Sequence, residues 1–163
     1  PMDPKTSLGP LVSRAHLDSV LGYVEEGKRE GAKLVMGGDR PSMAKGYYLN
    51  PTIFDRVDNQ MKIAREEIFG PVLAVIPFRD FNQVIEQAND TFYGLAAGIW
   101  SADMKKAYLA ARSLKAGSVW VNAYGALDIT APFGGFKQSG FGREFGQEAL
   151  SLFTETKTVW FQM

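Results

Sequence analysis

The sequence has no cysteine among its 163 residues and a single histidine, His16. Without thiols the chain can form no disulfide, no thiolate metal site and no cysteine nucleophile of its own. One imidazole is too few for the His and Cys clusters that bind zinc or copper. No Gly-x-Ser-x-Gly elbow supports serine hydrolase chemistry. We expect His16, near the start of a predicted helix, to lie at the surface, and we expect no metal site.

Net charge and long apolar runs are lacking as well. Lys and Arg together number 18, as do Asp and Glu, so the formal charge is zero. This balance gives no basis for binding nucleic acid or an anionic membrane surface. No apolar run approaches the roughly 20 residues of a membrane helix, and the N-terminus has no apolar segment of the signal-peptide kind. We therefore expect a cytoplasmic globular chain.

The hydrophobic pattern predicts an α/β fold. Ser13 can cap a first helix, which carries an apolar stripe at Leu17, Val20, Leu21 and Val24. Further along, apolar runs alternate with helical patterns in the order strand, helix, strand, helix, strand. Such alternation is typical of a mostly parallel sheet in a three-layer α/β/α arrangement. The run at residues 71–78 predicts a strand covered on both faces.

Two loops are candidates for a site. The stretch "EEIFGP" places Glu66 and Glu67 before a strand, either as a solvated loop or with one carboxylate facing a cleft, where it could accept ribose hydroxyls. A glycine-rich segment follows Asn122 and is too long for a simple connector. Its aromatic residues could line a pocket or pack in the core. Within it, "GFGREFG" lacks both the spacing and the preceding strand of a dinucleotide fingerprint.

Seven sequence blocks occur together in one order: "LGPLVS", "GYYLNPTIF", "KIAREEIFGPVLAV", "ANDTFYGLAAGIW", "AGSVWVN", "PFGGFKQSGFGREFG" and "TETKTV". With these blocks the chain resembles the C-terminal third of the NAD(P)-dependent aldehyde dehydrogenases. That family oxidises aldehydes to acids: a cysteine attacks the aldehyde, hydride passes to the nicotinamide, and a glutamate activates the water that cleaves the thioester. The resemblance implies a partial catalytic domain, NAD or NADP as cofactor and a small aldehyde as substrate.

The resemblance also implies roles for particular residues. Glu67 would hold the ribose hydroxyls on the nicotinamide side of the cofactor, and Phe69 would pack beside the nicotinamide, while Glu66 would face solvent. Leu127 and Phe133 would line the substrate tunnel, with Asn122 near the catalytic centre.

Assembly is implied by the same resemblance. Arg143 and Glu155 match residues near the family's subunit interface, and we expect the two to contact each other. A final strand, about Thr156 to Phe161, would extend a neighbouring subunit's sheet in a homo-oligomer, a dimer or a tetramer. The implied parts of the chain are a partial catalytic domain at 1–121, a substrate loop and helix at 122–152, and an oligomerisation strand at 153–163.

The absence of cysteine is where this chain departs from the family. The family's nucleophile, general-base glutamate, oxyanion asparagine and phosphate-binding loop all lie upstream of the matching segment. We therefore expect no catalytic residue here and no activity from these residues alone. The alternative is a non-catalytic oligomerisation or scaffold module that keeps the fold.

Overall fold

The computed structural model describes residues 2–43 and 45–163. Contacts within the chain divide it into two compact units, the first ending at Asp80 and the second running from Phe81 to Met163. The boundaries predicted from the family's functional parts fall elsewhere, and they stay predictions. None of the helices in the described residues is both long enough and apolar enough to cross a membrane.

The first unit contains two helices and a three-stranded sheet. The sheet has the order β1, β2, β3, with β1 antiparallel to β2 and β3 parallel to it. The elements in chain order are α1 (Arg14–Arg29), β1 (Lys33–Met36), β2 (Thr52–Asp55), α2 (Lys62–Arg65) and β3 (Val72–Ala74).

Helix α1 forms for the reasons that the sequence predicts. The Ser13 hydroxyl accepts a hydrogen bond from the backbone N–H of His16 at 3.1 Å, which satisfies one of the free donors at the helix start. On the apolar stripe, Leu17, Val20 and Val24 are buried. Val24 belongs to a core cluster with Phe54 of β2, which is fully buried. Burial of each such side chain stabilises the fold by about 1.5–3 kcal/mol.

The second unit begins with two helices that alternate with two strands. β4 and β5 pair in parallel, with Ala96 opposite Ser118. The Asp103 carboxylate caps the second of these helices by accepting from the backbone N–H of Lys106 at 3.0 Å. The elements are α3 (Phe81–Asn89), β4 (Ala96–Ile99), α4 (Met104–Ser113), β5 (Ser118–Val121) and two 3₁₀ helices, Lys137–Ser139 and Gln147–Phe153.

The predicted α/β class and the mostly parallel strand pairing are confirmed. The strands nevertheless form two separate hydrogen-bonded sheets among the described residues, rather than one. The expectation that residues 71–78 are covered on both faces is wrong for this chain. Within that run β3 spans only Val72–Ala74, and 56% of the Leu73 surface is exposed.

The C-terminal segment forms no strand by itself, and its predicted pairing with a neighbouring subunit stays a prediction. Residues 154–163 have no regular secondary structure and are exposed, so the predicted strand at Thr156 to Phe161 does not form within the described chain. A strand requires a hydrogen-bonding neighbour, and no sheet edge of the described residues pairs with this segment. The helix predicted before it is present as the 3₁₀ helix Gln147–Phe153.

Candidate functional site

The two adjacent carboxylates of the first unit have different environments. Glu66 ends α2, and its Oε2 accepts a hydrogen bond from the Tyr23 hydroxyl at 2.8 Å and lies 3.9 Å from Lys62 Nζ. Its side chain is half exposed, as expected, but it is tied to α1. Glu67 is exposed, and its carboxylate has no hydrogen bond or ion pair within residues 2–43 and 45–163. Glu67 is therefore the carboxylate that is free to bind a ligand.

Phe69 has a strained backbone and an exposed ring. Its φ is +53°, a left-handed conformation that costs a residue with a side chain on the order of 1–3 kcal/mol. The phenyl ring is 76% exposed. Its carbonyl oxygen lies 2.8 Å from Nε2 of His16, and the two rings are 6.2 Å apart at 42°. Strain of this kind persists where surrounding contacts hold it, often at binding sites.

The two residues after Phe69, Gly70 and Pro71, hold the loop in place through contacts with α1 and β2. A Cβ added at Gly70 would lie 2.8 Å from both methyl carbons of Val20, so the backbone approaches α1 as closely as glycine allows. The carbonyl of Pro71 accepts from the backbone N–H of Thr52 at 2.8 Å. The loop that carries Glu67 and Phe69 is thus fixed between α1 and the start of β2.

The sequence predicts that His16 lies free at the surface, but in the structure it does not. It is half-buried, and its Nδ1 is buried without a hydrogen-bond partner among the described residues. The reason is its contact with Phe69, which lies 53 positions further along the chain. No local pattern in the sequence indicates this contact.

In the second unit, Asn122 connects the ends of two strands. Its Oδ1 accepts from the Ser101 backbone N–H at 2.9 Å, and its Nδ2 donates to the Ser101 carbonyl at 3.1 Å. Its own N–H donates to Ile99 at 2.7 Å, and its φ is +54°, which asparagine tolerates better than most residues. Asn122 therefore holds β4 and β5 together where they end. Its place in a substrate pocket stays a prediction.

Leu127 lies at the exposed crest of the glycine-rich loop, with 59% of its surface accessible. The next residue, Asp128, accepts from the Thr130 hydroxyl at 2.6 Å and the Thr130 backbone N–H at 2.8 Å. These two bonds from Thr130 lower the pKa of the Asp128 carboxyl. On the other side, the Trp120 indole N–H donates to the Ala126 carbonyl at 2.7 Å. Hydrogen bonds on both sides of Leu127 therefore hold the shape of the crest.

Phe133 is half-buried at the base of the same loop. Its N–H donates to the Glu144 carbonyl at 2.7 Å, and its carbonyl accepts from the Glu144 N–H at 2.8 Å. The neighbouring glycines pack backbone against backbone: a Cβ on Gly117 would overlap the Gly134 carbonyl oxygen, and one on Gly134 would lie 2.6 Å from the Gly142 carbonyl oxygen. The base of the loop is therefore rigidly placed.

The expected contact between Arg143 and Glu155 is not formed within the described chain. Arg143 Nη1 donates to the carbonyls of Gly135 at 3.0 Å and Gly142 at 2.6 Å, and the guanidinium lies 5.2 Å from the centre of the Phe136 ring. Glu155 is exposed on the unstructured C-terminal segment. The guanidinium binds loop carbonyls because the glycine turns place them beside it. An interface role for Arg143 and Glu155 stays a prediction.

Comparison with known proteins decides the family. The model of the aldehyde dehydrogenase family matches residues 1–159. The chain belongs to the aldehyde dehydrogenase family. The identification as a C-terminal segment of that family is thereby confirmed.

Several relatives illustrate the likeness. A betaine aldehyde dehydrogenase of Brucella anthropi is 50% identical, over all of this chain and 34% of its own length. A protein of Macroscelides proboscideus named "aldehyde dehydrogenase, cytosolic 2" is 48% identical, over 98% of this chain and 66% of its own length. The crystal structure of a Mycobacterium tuberculosis aldehyde dehydrogenase complexed with NAD⁺ matches with a TM-score of 0.94 and 45% identity, over all of this chain and 34% of its own. The chain spans about a third of the length of most of these relatives.

Within this aldehyde dehydrogenase segment, the structure brings together residues that sequence reasoning did not connect. Tyr23 and His16, both on α1, contact the loop that carries Glu67 and Phe69. In the second unit, Lys137 donates to the carbonyls of Asn89 and Thr91 at 2.8 and 3.1 Å. Nothing in the local sequence signals these contacts, because each joins residues more than 40 positions apart.

Proposed function

We propose that these residues belong to the catalytic domain of an NAD(P)-dependent aldehyde dehydrogenase that oxidises an aldehyde to a carboxylic acid. The observation that carries the proposal is the contrast between the neighbouring carboxylates. Glu66 is bound by Tyr23, whereas Glu67 is exposed and without a partner in the described part of the chain. Membership of the family and the NAD⁺ complex of the Mycobacterium tuberculosis relative support the assignment.

Glu67 and Phe69 fit a nicotinamide nucleotide by their chemistry. An ionised carboxylate only accepts hydrogen bonds, so the two Glu67 oxygens can each accept from one ribose hydroxyl. The exposed Phe69 ring offers an apolar edge beside the nicotinamide and limits its rotation. The cofactor, when bound, supplies the acceptor for a hydride. The two residues would bind and orient it, whether it is NAD or NADP.

The glycine-rich loop would contribute to the substrate pocket. Leu127 at the crest and Phe133 at the base offer apolar surface for a small aldehyde, and such pockets are lined mainly by apolar side chains. Asn122 would stand at the end of β5 beside the reacting group. Its Nδ2 uses one hydrogen for Ser101, so the second remains available as a donor.

These 163 residues alone would not oxidise aldehydes, because they contain no cysteine to form a thioester. The test is a hybrid enzyme in which the 163 residues replace the matched third of the Mycobacterium tuberculosis aldehyde dehydrogenase. We expect NADH formation from the hybrid with an aldehyde substrate and none from the 163-residue chain. NADH produced by the isolated chain would contradict the proposal.

A matched pair of variants in the hybrid tests the nucleotide role. Glu67→Gln should lower turnover about tenfold or more, on the scale of about 1.4 kcal/mol in the barrier. Glu66→Gln should change turnover less than about twofold. The ion pair that it removes, between Glu66 and Lys62, is exposed and contributes little. Equal effects of the two changes, or normal kinetics in Glu67→Gln, would remove the ribose role from Glu67.

A second function, an oligomerisation or scaffold module, has its own supporting observation. The C-terminal segment exposes Val159, Trp160 and Phe161, with Trp160 91% accessible. Such a segment could add a strand to another copy's sheet, with Arg143 and Glu155 near the interface. Size-exclusion chromatography should then give a smaller species for a chain ending at Thr154. An unchanged oligomer would argue against this role.

We also propose a cytoplasmic location, which the cytosolic relative supports.

A further inference from the structure

The carbonyl of Phe69 has one hydrogen-bond donor among the described residues, His16. The Nε2 to oxygen distance is 2.8 Å. Other contacts hold the chain on either side: Ile68 packs against both core clusters of the first unit, and the Gly70 carbonyl accepts from Val72 at 2.7 Å. The left-handed residue between them therefore depends on His16 for the direction of its peptide.

The contacts of the His16 imidazole are consistent with one fixed orientation of the ring. A carbonyl can only accept, so Nε2 must carry the hydrogen in this contact. Nδ1 is buried with no partner in the described chain. The ring also meets the Phe69 phenyl, with 6.2 Å between centroids.

We propose that His16 is a positioning residue, which holds the Phe69 peptide in its left-handed conformation and so aims Glu67 and Phe69 at the nicotinamide side of the cofactor. The inference rests on the proposed function of those two residues. His16 itself would touch neither cofactor nor substrate. A donor of similar reach should substitute for it: the amide nitrogen of a glutamine lies the same number of bonds from Cα as Nε2 of histidine.

Three variants separate positioning from simple stability. His16→Leu removes the donor, His16→Gln keeps one, and Ser13→Ala weakens the start of the same helix without touching Phe69. The first measurement is the ¹⁵N and ¹³C chemical shifts of Phe69 in the 163-residue chain. We expect them to move in His16→Leu and to stay near wild type in the other two. The ¹⁵N shifts of the imidazole in mildly alkaline buffer should show hydrogen on Nε2.

The second measurement is made in the hybrid enzyme. His16→Leu should lower turnover about 10- to 100-fold, the scale of a misplacement of about 1 Å, with a much smaller change in the dissociation constant of NAD⁺. His16→Gln should restore most of the loss. Phe69 shifts unchanged in His16→Leu, or a rate effect no larger than that of Ser13→Ala, would overturn the inference.

The two proposals can fail separately. If Glu67→Gln lowers turnover but His16→Leu does not, the nucleotide role stands and the positioning role is wrong. If neither affects turnover, the proposed function of the loop fails, and with it the positioning role. A shift of the Phe69 signals in His16→Leu would then show only a structural contact.

Discussion

Replacing Gly70 with alanine tests whether the loop that carries Glu67 and Phe69 is held against α1. Gly70 follows Phe69, and an added Cβ would lie 2.8 Å from both methyl carbons of Val20, whereas ordinary contact begins near 3.4 Å. The loop and the helix would have to separate by about 0.6 Å, the shortfall from normal carbon packing. Val20 cannot turn aside, because it is fully buried and a β-branched residue in a helix has one strongly preferred rotamer.

The expected cost is about 1–3 kcal/mol, the usual range for an extra methyl group in a packed site. Gly22→Ala is the matched control, since it lies in α1 with open space around its Cα. There the same change should stabilise the helix by about 0.5–1 kcal/mol. In a Val20→Ala background the obstructing methyls are gone, so Gly70→Ala should cost under about 1 kcal/mol.

Urea unfolding of five chains, followed by circular dichroism, gives these free energies: the wild type, Gly70→Ala, Gly22→Ala, Val20→Ala and the double variant Val20→Ala with Gly70→Ala. The hybrid enzyme gives a second readout, because displacement of the loop should reduce turnover in Gly70→Ala but not in Gly22→Ala. The reasoning is refuted if Gly70→Ala is as stable as the wild type. It is also refuted if the change costs the same with and without the Val20 methyls.

Three further predictions concern hydrogen bonds made by single side chains. Ser13→Ala should destabilise the first unit by about 1 kcal/mol in thermal unfolding, through loss of the α1 cap. Asp128 has a lowered pKa, so its ionised form stabilises the loop above the unfolded-chain pKa, and that contribution is lost as pH falls through the lowered value. Carboxyl ¹³C titration should show this pKa rising in Thr130→Val. Asn122→Ala should cost about 1–2 kcal/mol and speed hydrogen exchange at the Ser101 amide; unchanged exchange would contradict the strand connection.

Local features of the fold could be predicted from the sequence. The Ser13 cap and the burial of Leu17, Val20 and Val24 follow from residue type and spacing alone. The coverage of β3 could not be predicted in the same way. An apolar run indicates that a strand prefers burial, but what covers it is decided by segments far away or on other chains. For this reason Leu73 is exposed although its sequence context is that of a core strand.

The site shows the same division. The sequence indicates that adjacent carboxylates point apart, but Tyr23, 43 positions from Glu66, decides which one stays unbound. Arg143 was expected to find an opposite charge, yet it binds carbonyls of glycine turns. Carbonyl directions depend on backbone angles such as the φ of +82° at Gly142, which the residue type permits but does not specify.

The glycine-rich loop has positions that tolerate substitution and positions that do not. At its base, Gly117, Gly134 and Gly135 leave no room for even one methyl group, so mutation there disturbs the frame itself. At its crest, the side chains of Leu127 and Ile129 are 59% and 78% exposed. Substitutions at these two positions should therefore change the free energy of unfolding very little. On the proposed function, substitutions that change the aldehyde substrate should therefore be tolerated at Leu127 and not at the glycines of the base.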